Sequence, residues 1–589
     1  MCGIVGYIGA RKASQILLES TKKLEYRGYD SVGMGAVDNR IKILKGAGKI
    51  DEVNKRVNFN SLNGTIGISH TRWATHGGVT DINAHPQVDC EGKIAVVHNG
   101  IIENYIELKE KLIKKGHKFR SETDTEVISH LIEDYIKDGK SYREAVLETS
   151  RQLRGLFAFI VINEREKDKI IVSKHRCPLV IGIGKNENFV ASDVVSFIKH
   201  TNKVVFLDDD EIAELTRDSC RVFDIIGRER KKKIDTVNWG SEEAQKMGYE
   251  HYMIKEIFEQ QETIERVINQ DRKTIEKIAN MINDAYGVFF VACGTSYHAC
   301  ISAAYIFSEV TKKHVNVFLA SEFPNFSHFL TKNTLMVAVS QSGETADVLE
   351  AVRVAKERNV KVISLVNVMG SSLMRMSDFS LLLNAGPEIC VLATKTFTSQ
   401  LSLLYLLAYA CAGKYEEGKK ELEDVAKKVK DVLTQENIQK IKDLAKMLKD
   451  EENLYLIGRG LSYSTTLEGA LKLKEVSYIH AEGLAGGELK HGTLALIERG
   501  TPCIAILTDN GTKHDILSNI MEIKSRGGYI IGISNSEEEV FDFSIIVPRV
   551  EMHPILTIIP IQLLAYYLAL ERGCDPDRPR NLAKSVTVK

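Results

Sequence analysis

The stretch VFFVACGTS, Val288 to Ser296, passes from a continuous apolar run into a loop of small and hydroxyl-bearing residues. An unbroken run of β-branched and aromatic side chains suits a strand covered on both faces, and such strands belong to parallel sheets. The same text recurs as LYLIGRGLS, Leu454 to Ser462. Around each copy, short apolar runs alternate with helical periods: LMVAV and KVISLV follow the first, and CIAIL, YIIGI and FSIIV follow the second. Repetition of a strand–loop–helix unit predicts two related α/β domains with parallel sheets. A helical stretch from about Gly413 to Asp450 joins them.

Upstream the pattern differs. Strand signals at Gly3 to Ile8, Ile66 to Ser69, Ile94 to His98, Phe157 to Ile162, Ile170 to Ser173 and Val204 to Phe206 are interrupted by helical periods at Ser14 to Leu24, Asn104 to Lys115 and Glu126 to Lys137. This predicts an α+β domain whose sheets are covered by helices. The basic run RERKKK, beginning at Arg228, and the polar helical text MIKEIFEQQETIERVINQ read as a linker, without strand signal, leading into helices. The expected division is 1–223, a linker with helices at 224–280, α/β domains at 281–415 and 451–575 with connecting helices at 416–450, and a tail at 576–589.

Composition narrows the class. With 44% hydrophobic and 27% charged residues, and 78 basic against 79 acidic side chains, the chain reads as globular, and no global charge calls for nucleic acid or membrane. Ten cysteines without a CxxC pair indicate neither a disulfide framework nor a cysteine zinc site and fit a reducing cytoplasm. The apolar runs Leu401 to Ala412 and Ile555 to Leu570 are short for a bilayer and read as buried helices. The opening MCGIVGYIG lacks the pattern of a signal peptide.

Several residue groups carry chemistry. Removal of Met1 would leave Cys2 with a thiol beside its own α-amino group, whose pKa near about 7.7–8.0 suits it to take the thiol proton. The alternative is a cysteine simply buried in an opening strand. His98-Asn99-Gly100 follows an apolar strand and offers a side-chain amide and a backbone N–H to an oxyanion. Arg72 and Asp124 could clamp the carboxylate and ammonium of an amino acid, or Thr123 and Asp124 could cap a helix. The histidines at 70, 76, 85 and 98 match no zinc spacing, and no metal is expected.

MCGIVGYIG, LEYRGYDSVG, HTRWATHGG, NAHP, HNGIIENY and SETDTEVI resemble the glutaminase domain of class II glutamine amidotransferases. The resemblance implies an Ntn-hydrolase αββα sandwich in which the mature N-terminal cysteine attacks the glutamine side-chain amide and releases ammonia. By it, Cys2 is nucleophile and, through its amine, base. Asn99 and Gly100 form the oxyanion hole. Arg72, Asp124, Thr75 and His76 bind glutamine, and Trp73 lies where the family gates ammonia.

In the second half, the loops CGTS (Cys293, Gly294, Thr295, Ser296) and SQSGET (Ser340 to Thr345) leave strands and enter helices, where N–H groups, hydroxyls and the helix dipole favour an anion such as phosphate. Ordinary N-capping is the alternative. No GxxxxGK[ST] motif occurs, which sets aside a nucleotide P-loop. Lys472 and Glu475 share a helix face with Glu468 one turn earlier, as an exposed ion-pair stripe or as a proton-transfer pair, and a Gly-rich turn follows with Glu488, Lys490 and His491. The closing DPDRPRNLAKSVTVK reads by composition as a frayed tail.

Together these segments resemble, over essentially the whole chain, the isomerising glutamine–fructose-6-phosphate aminotransferase family: a glutaminase domain, two sugar isomerase (SIS) domains and the NLAKSVTV tail. The resemblance implies conversion of glutamine and fructose 6-phosphate to glutamate and glucosamine 6-phosphate without a cofactor, as the first step of amino-sugar synthesis. Cys293 to Ser296, Ser340, Gln341, Ser342 and Thr345 then hold the sugar phosphate, with Val391 and Ala583 also at the sugar. Glu475 moves the proton between C1 and C2, assisted by Lys472. His491, from the partner subunit of a homodimer, opens the ring, and Lys584 forms a Schiff base. Departures from the family pattern are Ala393 in place of a serine, Gln261 in place of a proline, and the terminal Lys589. Two other readings share parts of this text: an amidotransferase acting on amino-sugar conjugates, and a non-enzymatic sugar-phosphate sensor, which would commonly carry a DNA-binding domain instead of a glutaminase.

Overall fold

The computed structural model describes residues 2–237, 246–508 and 511–587. Two compact units divide the chain, Met1–Glu243 with Ala583–Lys589, and Ala244–Leu582.

In the first unit two antiparallel sheets of eight and seven strands stack face to face. The strand Gly3–Ile8 is central to one sheet, between Asn188–Ala191 and Ile66–Arg72. The strand Ile94–Ile102 lies in the other, paired with Gly155–Asn163. Period-2 alternation sends Ile4 and Ile8 inward, to meet Ala95, Val97, Ile160 and Ile162 of the facing sheet. Val5 and Tyr7 point outward, into the core capped by helix Ala13–Lys22. On the other sheet Val96, Phe159 and Val161 point outward beneath helices Tyr105–Lys114, Glu126–Lys137 and Tyr142–Gln152. Helix, sheet, sheet, helix is the αββα sandwich of an Ntn hydrolase.

The strand Ser31–Val37, whose glycines dilute its β signal, is held by pairing on both sides, with Ile41–Ala47 and Ile66–Arg72. The RERKKK run, read as lacking strand signal, supplies Glu229–Arg230 to a sheet edge, where charged side chains suit an exposed strand.

The second unit holds two five-stranded parallel sheets of identical topology. In one the order is Asn316–Leu319, Gly287–Ala292, Thr334–Ser340, Lys361–Val366, Phe379–Leu382. In the other it is His480–Ala485, Asn453–Gly458, Pro502–Leu507, Tyr529–Ser534, Phe543–Ile546. Both faces are covered: Val288 and Phe290 enter one core while Phe289 and Val291 enter another. The first of these cores also contains Leu456 and Ile561, so one apolar interior runs through both sheets' helical layers. Among the described residues one helix, Pro554–Glu571, is long and apolar enough to cross a membrane, and 83% of its window is buried within the protein.

In both sheets the chain places its second strand on one side of the first and its third on the other. The loops after strands one and three therefore diverge, and the crevice between their carboxyl ends is where open α/β sheets bind ligands. Loops 293–296 and 341–345 border it in the first sheet.

Ile160, fully buried between the two sheets of the first unit, tests the sandwich. Ile160→Ala should lower the stability of this unit by about 2–5 kcal/mol, read as a lower urea midpoint for its unfolding.

Candidate active sites

In the first unit the candidate residues converge from strand ends. Cys2 precedes the strand Gly3–Ile8 and is half-buried. The Trp73 N–H donates to Cys2 Sγ at 3.3 Å, and the thiol donates to the Trp73 carbonyl at 3.4 Å. Asn99 Nδ2 donates to the Cys2 carbonyl at 3.0 Å, while Asn99 Oδ1 is buried without a partner. Burial pushes the Cys2 thiol up, partly offset by the Trp73 N–H and the Arg72 guanidinium. A thiol so placed is mostly protonated at neutral pH, so a nucleophilic role for it would require a base beside it. Removal of Met1, on which the terminal-amine reading depends, concerns a residue outside the described ones.

Arg72 ends its strand 3% exposed. Of its five N–H donors, three reach the carbonyls of His76, Gly77 and Gly78. They order the loop that carries Thr75 and His76, leaving two donors. Thr75 is exposed, and His76 packs edge-on against Tyr105. Trp73 meets the Tyr29 ring edge-on. Asp124, buried before helix Glu126–Lys137, accepts from Ile102 N–H at 2.8 Å, which ties it to the strand bearing Asn99 and Gly100. Gly100 has φ +120°, and a Cβ there would lie 1.9 Å from the Leu156 carbonyl oxygen. Asp30, missed in the sequence reading, accepts from Ala74 N–H at 2.9 Å and holds the loop after Arg72. Its place in LEYRGYDSVG is the available signal.

In the second unit, Thr295 and Ser296 lie in the first turn of helix Gly294–Ile306, for which Cys293 is the N-cap. Ser340 ends its strand. Its Oγ accepts from Gly343 N–H at 3.0 Å and pairs with Thr345 Oγ1 at 3.0 Å, closing the loop that carries Gln341 and Ser342. Gly343 has φ +65°, and a Cβ would meet Ser371 Oγ at 2.2 Å, so this turn admits only glycine. Gln400 donates to Ser296 Oγ at 2.9 Å from an otherwise largely apolar helix. That buried glutamine escaped the sequence reading, although its position among Thr398, Ser399 and Ser402 was visible. Val391 N–H donates to the Asp577 carbonyl at 3.1 Å.

The Lys472 side chain is fully buried between Glu475 at 2.7 Å and Glu468 at 3.3 Å. Burial works against its charge, but the two carboxylates outweigh that and hold its pKa above the ordinary lysine value. Lys472 Nζ also donates to Thr295 Oγ1 at 3.1 Å, and Thr295 Oγ1 donates to Glu468 at 3.0 Å. His298 Nδ1 lies 2.8 Å from Glu468. The loop of the first sheet and helix Leu461–Ser477 of the second domain thus share one polar cluster. The exposed-stripe alternative fails for Lys472 and Glu468, both fully buried. His491 is exposed in its turn, as is Lys490, which pairs with Glu522 at 2.7 Å. Ala583 and Lys584 are half-buried and fall in the first unit.

An Ntn-type glutaminase sandwich joined to paired phosphosugar-type α/β domains defines a glutamine amidotransferase with sugar isomerase domains. Family models agree: a glutamine amidotransferase domain matches residues 58–253, and the SIS domain matches 281–410 and 447–572. The glutamine–fructose-6-phosphate aminotransferase [isomerizing] of Thermococcus kodakarensis is 48% identical and that of Pyrococcus horikoshii 47%, each alignment covering 100% of both chains. The solved C-terminal domain of glucosamine-fructose-6-phosphate aminotransferase from Francisella tularensis matches 57% of this chain and 100% of its own, with TM-score 0.54 and 34% identity. The chain belongs to the isomerising glutamine–fructose-6-phosphate aminotransferase family.

Two outcomes follow from this geometry. Because a Cβ at Gly100 would collide with the Leu156 carbonyl and displace the strand next to Asn99, Gly100→Ala should reduce glutamine hydrolysis at least about 100-fold, with the steady-state rate of glutamate release as the measure. Burial depresses the pKa of His70, His85 and His98. The unfolded chain therefore takes up protons below about pH 6.5 that the fold refuses, and stability falls with pH by up to about 1.4 kcal/mol per pH unit for each. The urea midpoint for glutaminase loss should drop between about pH 7 and pH 5.5, and the drop should be shallower in His85→Leu.

Proposed function

We propose that Cys2 hydrolyses glutamine and that the released ammonia is channelled to fructose 6-phosphate bound in the crevice of the first SIS sheet. The thiolate attacks the side-chain amide carbon, the oxyanion is received by the Asn99 amide and Gly100 N–H, ammonia leaves, and water releases glutamate. Arg72 and Asp124 take the substrate's α-carboxylate and α-ammonium, with Thr75 and His76 beside them and Trp73 gating ammonia.

The sugar phosphate sits on the hydroxyls and N–H groups of Thr295, Ser296, Ser340, Gln341, Ser342 and Thr345. Lys584 condenses with the ketose carbonyl and is displaced by ammonia. Glu475 then carries a proton from C1 to C2, giving glucosamine 6-phosphate. Lys472, kept cationic by its carboxylates, serves as a fixed positive charge and donor for a developing oxyanion. The exposed position of His491 supports its service to a partner subunit, and thus a homodimer. Cytoplasmic residence is consistent with ten free cysteines.

The observation that carries the reading is the buried Glu468–Lys472 pair, with the partly exposed Glu475 on Lys472, joined through Thr295 to the sheet's ligand-binding crevice. A regulatory sugar sensor has no need of a desolvated carboxylate–lysine group at that place. Supplied with glutamine and fructose 6-phosphate, the purified protein should form an aminated hexose phosphate detectable by mass spectrometry; consumption of both substrates without it would exclude the reading. Cys2→Ala should abolish glutamine-dependent synthesis, by about 10³-fold or more. Glu475→Gln should suppress sugar conversion by about 10²–10⁴-fold while glutamine hydrolysis continues. Lys584→Ala should stop sugar conversion, and normal turnover in that variant would remove the Schiff-base role.

A further inference from the structure

Four side chains that the glutaminase chemistry does not use converge elsewhere in the first unit. Cys90 lies in the turn between strands Gln87–Val88 and Ile94–Ile102, and His117 follows helix Tyr105–Lys114. His130 and Glu133 stand one turn apart on helix Glu126–Lys137. Cys90 Sγ is 3.6 Å from Nδ1 of His117 and 3.6 Å from Nδ1 of His130. The two Nδ1 atoms are 3.2 Å apart, and Glu133 Oε2 lies 3.0 Å from the first and 3.3 Å from the second. All four atoms fall within 4.8 Å of one another.

These five separations are close to edges of a coordination tetrahedron, whose sixth, from Cys90 Sγ to Glu133, is within 4.8 Å. Ligands at about 2.0–2.1 Å for nitrogen and about 2.3 Å for sulfur, at tetrahedral angles, stand about 3.3 Å apart for nitrogen pairs and about 3.6 Å for sulfur with nitrogen. Hydrogen bonding accounts for the cluster less well. A thiol and two Nδ1–H groups supply at most three protons to the five short contacts, leaving at least two polar pairs with no hydrogen between them. One central cation satisfies every contact at once.

The surrounding contacts are a second, independent indication. A metal-bound imidazole commonly gives its other nitrogen to a carboxylate, which fixes the ring. Both histidines do so: Nε2 of His130 faces Glu126 Oε1 at 3.4 Å, and Nε2 of His117 faces Asp134 Oδ1 at 3.5 Å. Glu133 is itself oriented by Lys137 Nζ at 2.6 Å on its other oxygen.

The geometry points to a structural zinc site formed by Cys90, His117, His130 and Glu133. One thiolate, two imidazoles and one carboxylate suit a borderline-soft divalent ion, and four protein ligands leave no open position for chemistry. The sequence-level expectation of no metal rested on His70, His76, His85 and His98, none of which takes part. Their four successors escape a spacing search because a turn, a loop and a helix supply them. The ion would tie the turn before the Asn99 strand to the helix that follows Asp124. Glu126, which orients His130, also accepts from the N–H groups of Arg120 and Ser121 at 2.7 and 2.6 Å, in the segment leading to Asp124.

The full-length chain, purified untagged and without chelator, should contain about one zinc per chain by plasma mass spectrometry. After chelator treatment, added Co²⁺ should give the visible bands of four-coordinate cobalt and a near-ultraviolet thiolate charge-transfer band. Cys90→Ser should lose the charge-transfer band and yield its zinc to a chelator that leaves the parent loaded. Cys2→Ala and Cys220→Ser should keep both properties. Substoichiometric zinc with only a weak six-coordinate cobalt spectrum would overturn the site, as would a Cys90→Ser protein that retains the charge-transfer band.

Discussion

A lysine side chain with no solvent exposure between two carboxylates sets the terms for the second unit. An ammonium removed from water is tolerated only when paired and hydrogen-bonded, and removing one partner strands a buried charge at about 3–5 kcal/mol. Lys472 meets that condition only because Glu468 and Glu475 lie on its own helix and Thr295 reaches it from the first turn of the helix that follows the other sheet's first strand. The two α/β domains are therefore docked by polar chemistry as well as by their common apolar core. The same contacts leave the cation beside the crevice where the sugar phosphate is proposed to bind, so the arrangement of charges that the fold requires is the one the proposed catalysis would use.

The first unit solves a different problem. A thiol needs little room, but the atoms proposed to receive the oxyanion must be placed without adjustment, and the backbone does this. Asn99 and Gly100 stand on a strand paired along its length with Gly155–Asn163, and that strand's Ile102 N–H anchors Asp124. The guanidinium of Arg72 orders its loop through three carbonyls before any substrate arrives. Preorganisation of this kind places the cost of ordering in folding rather than in catalysis. A zinc ion at Cys90, His117, His130 and Glu133 would extend the same logic outward, by bracing the turn and the helix on either side of these residues.

Much of this was legible in the chain itself. VFFVA, LMVAV and LYLIG are apolar without interruption because both faces of their strands are covered, and that composition, with helical periods between the runs, indicates parallel sheets. The opening strand GIVGYI is apolar for the same reason, with Ile4 and Ile8 in one layer and Val5 and Tyr7 in another. The strand Ser31–Val37 was not legible, since its glycines carry no β signal and its pairing partners on both sides hold it in place.

For the sites, local sequence determined the chemistry and tertiary structure determined the company each group keeps. The three- and four-residue spacings of Glu468, Lys472 and Glu475 put them on one helix face as a matter of helical pitch. Whether that face met water or a half-buried threonine from the start of a distant helix depended on packing, and packing turned an ordinary ion-pair stripe into a group whose Glu468 and Lys472 are desolvated. Gln400, His298 and the Cys90–His117–His130–Glu133 cluster lay beyond the sequence reading for the same reason. Their partners are brought close by sheet pairing and helix docking, and no spacing along the chain records distances set in space.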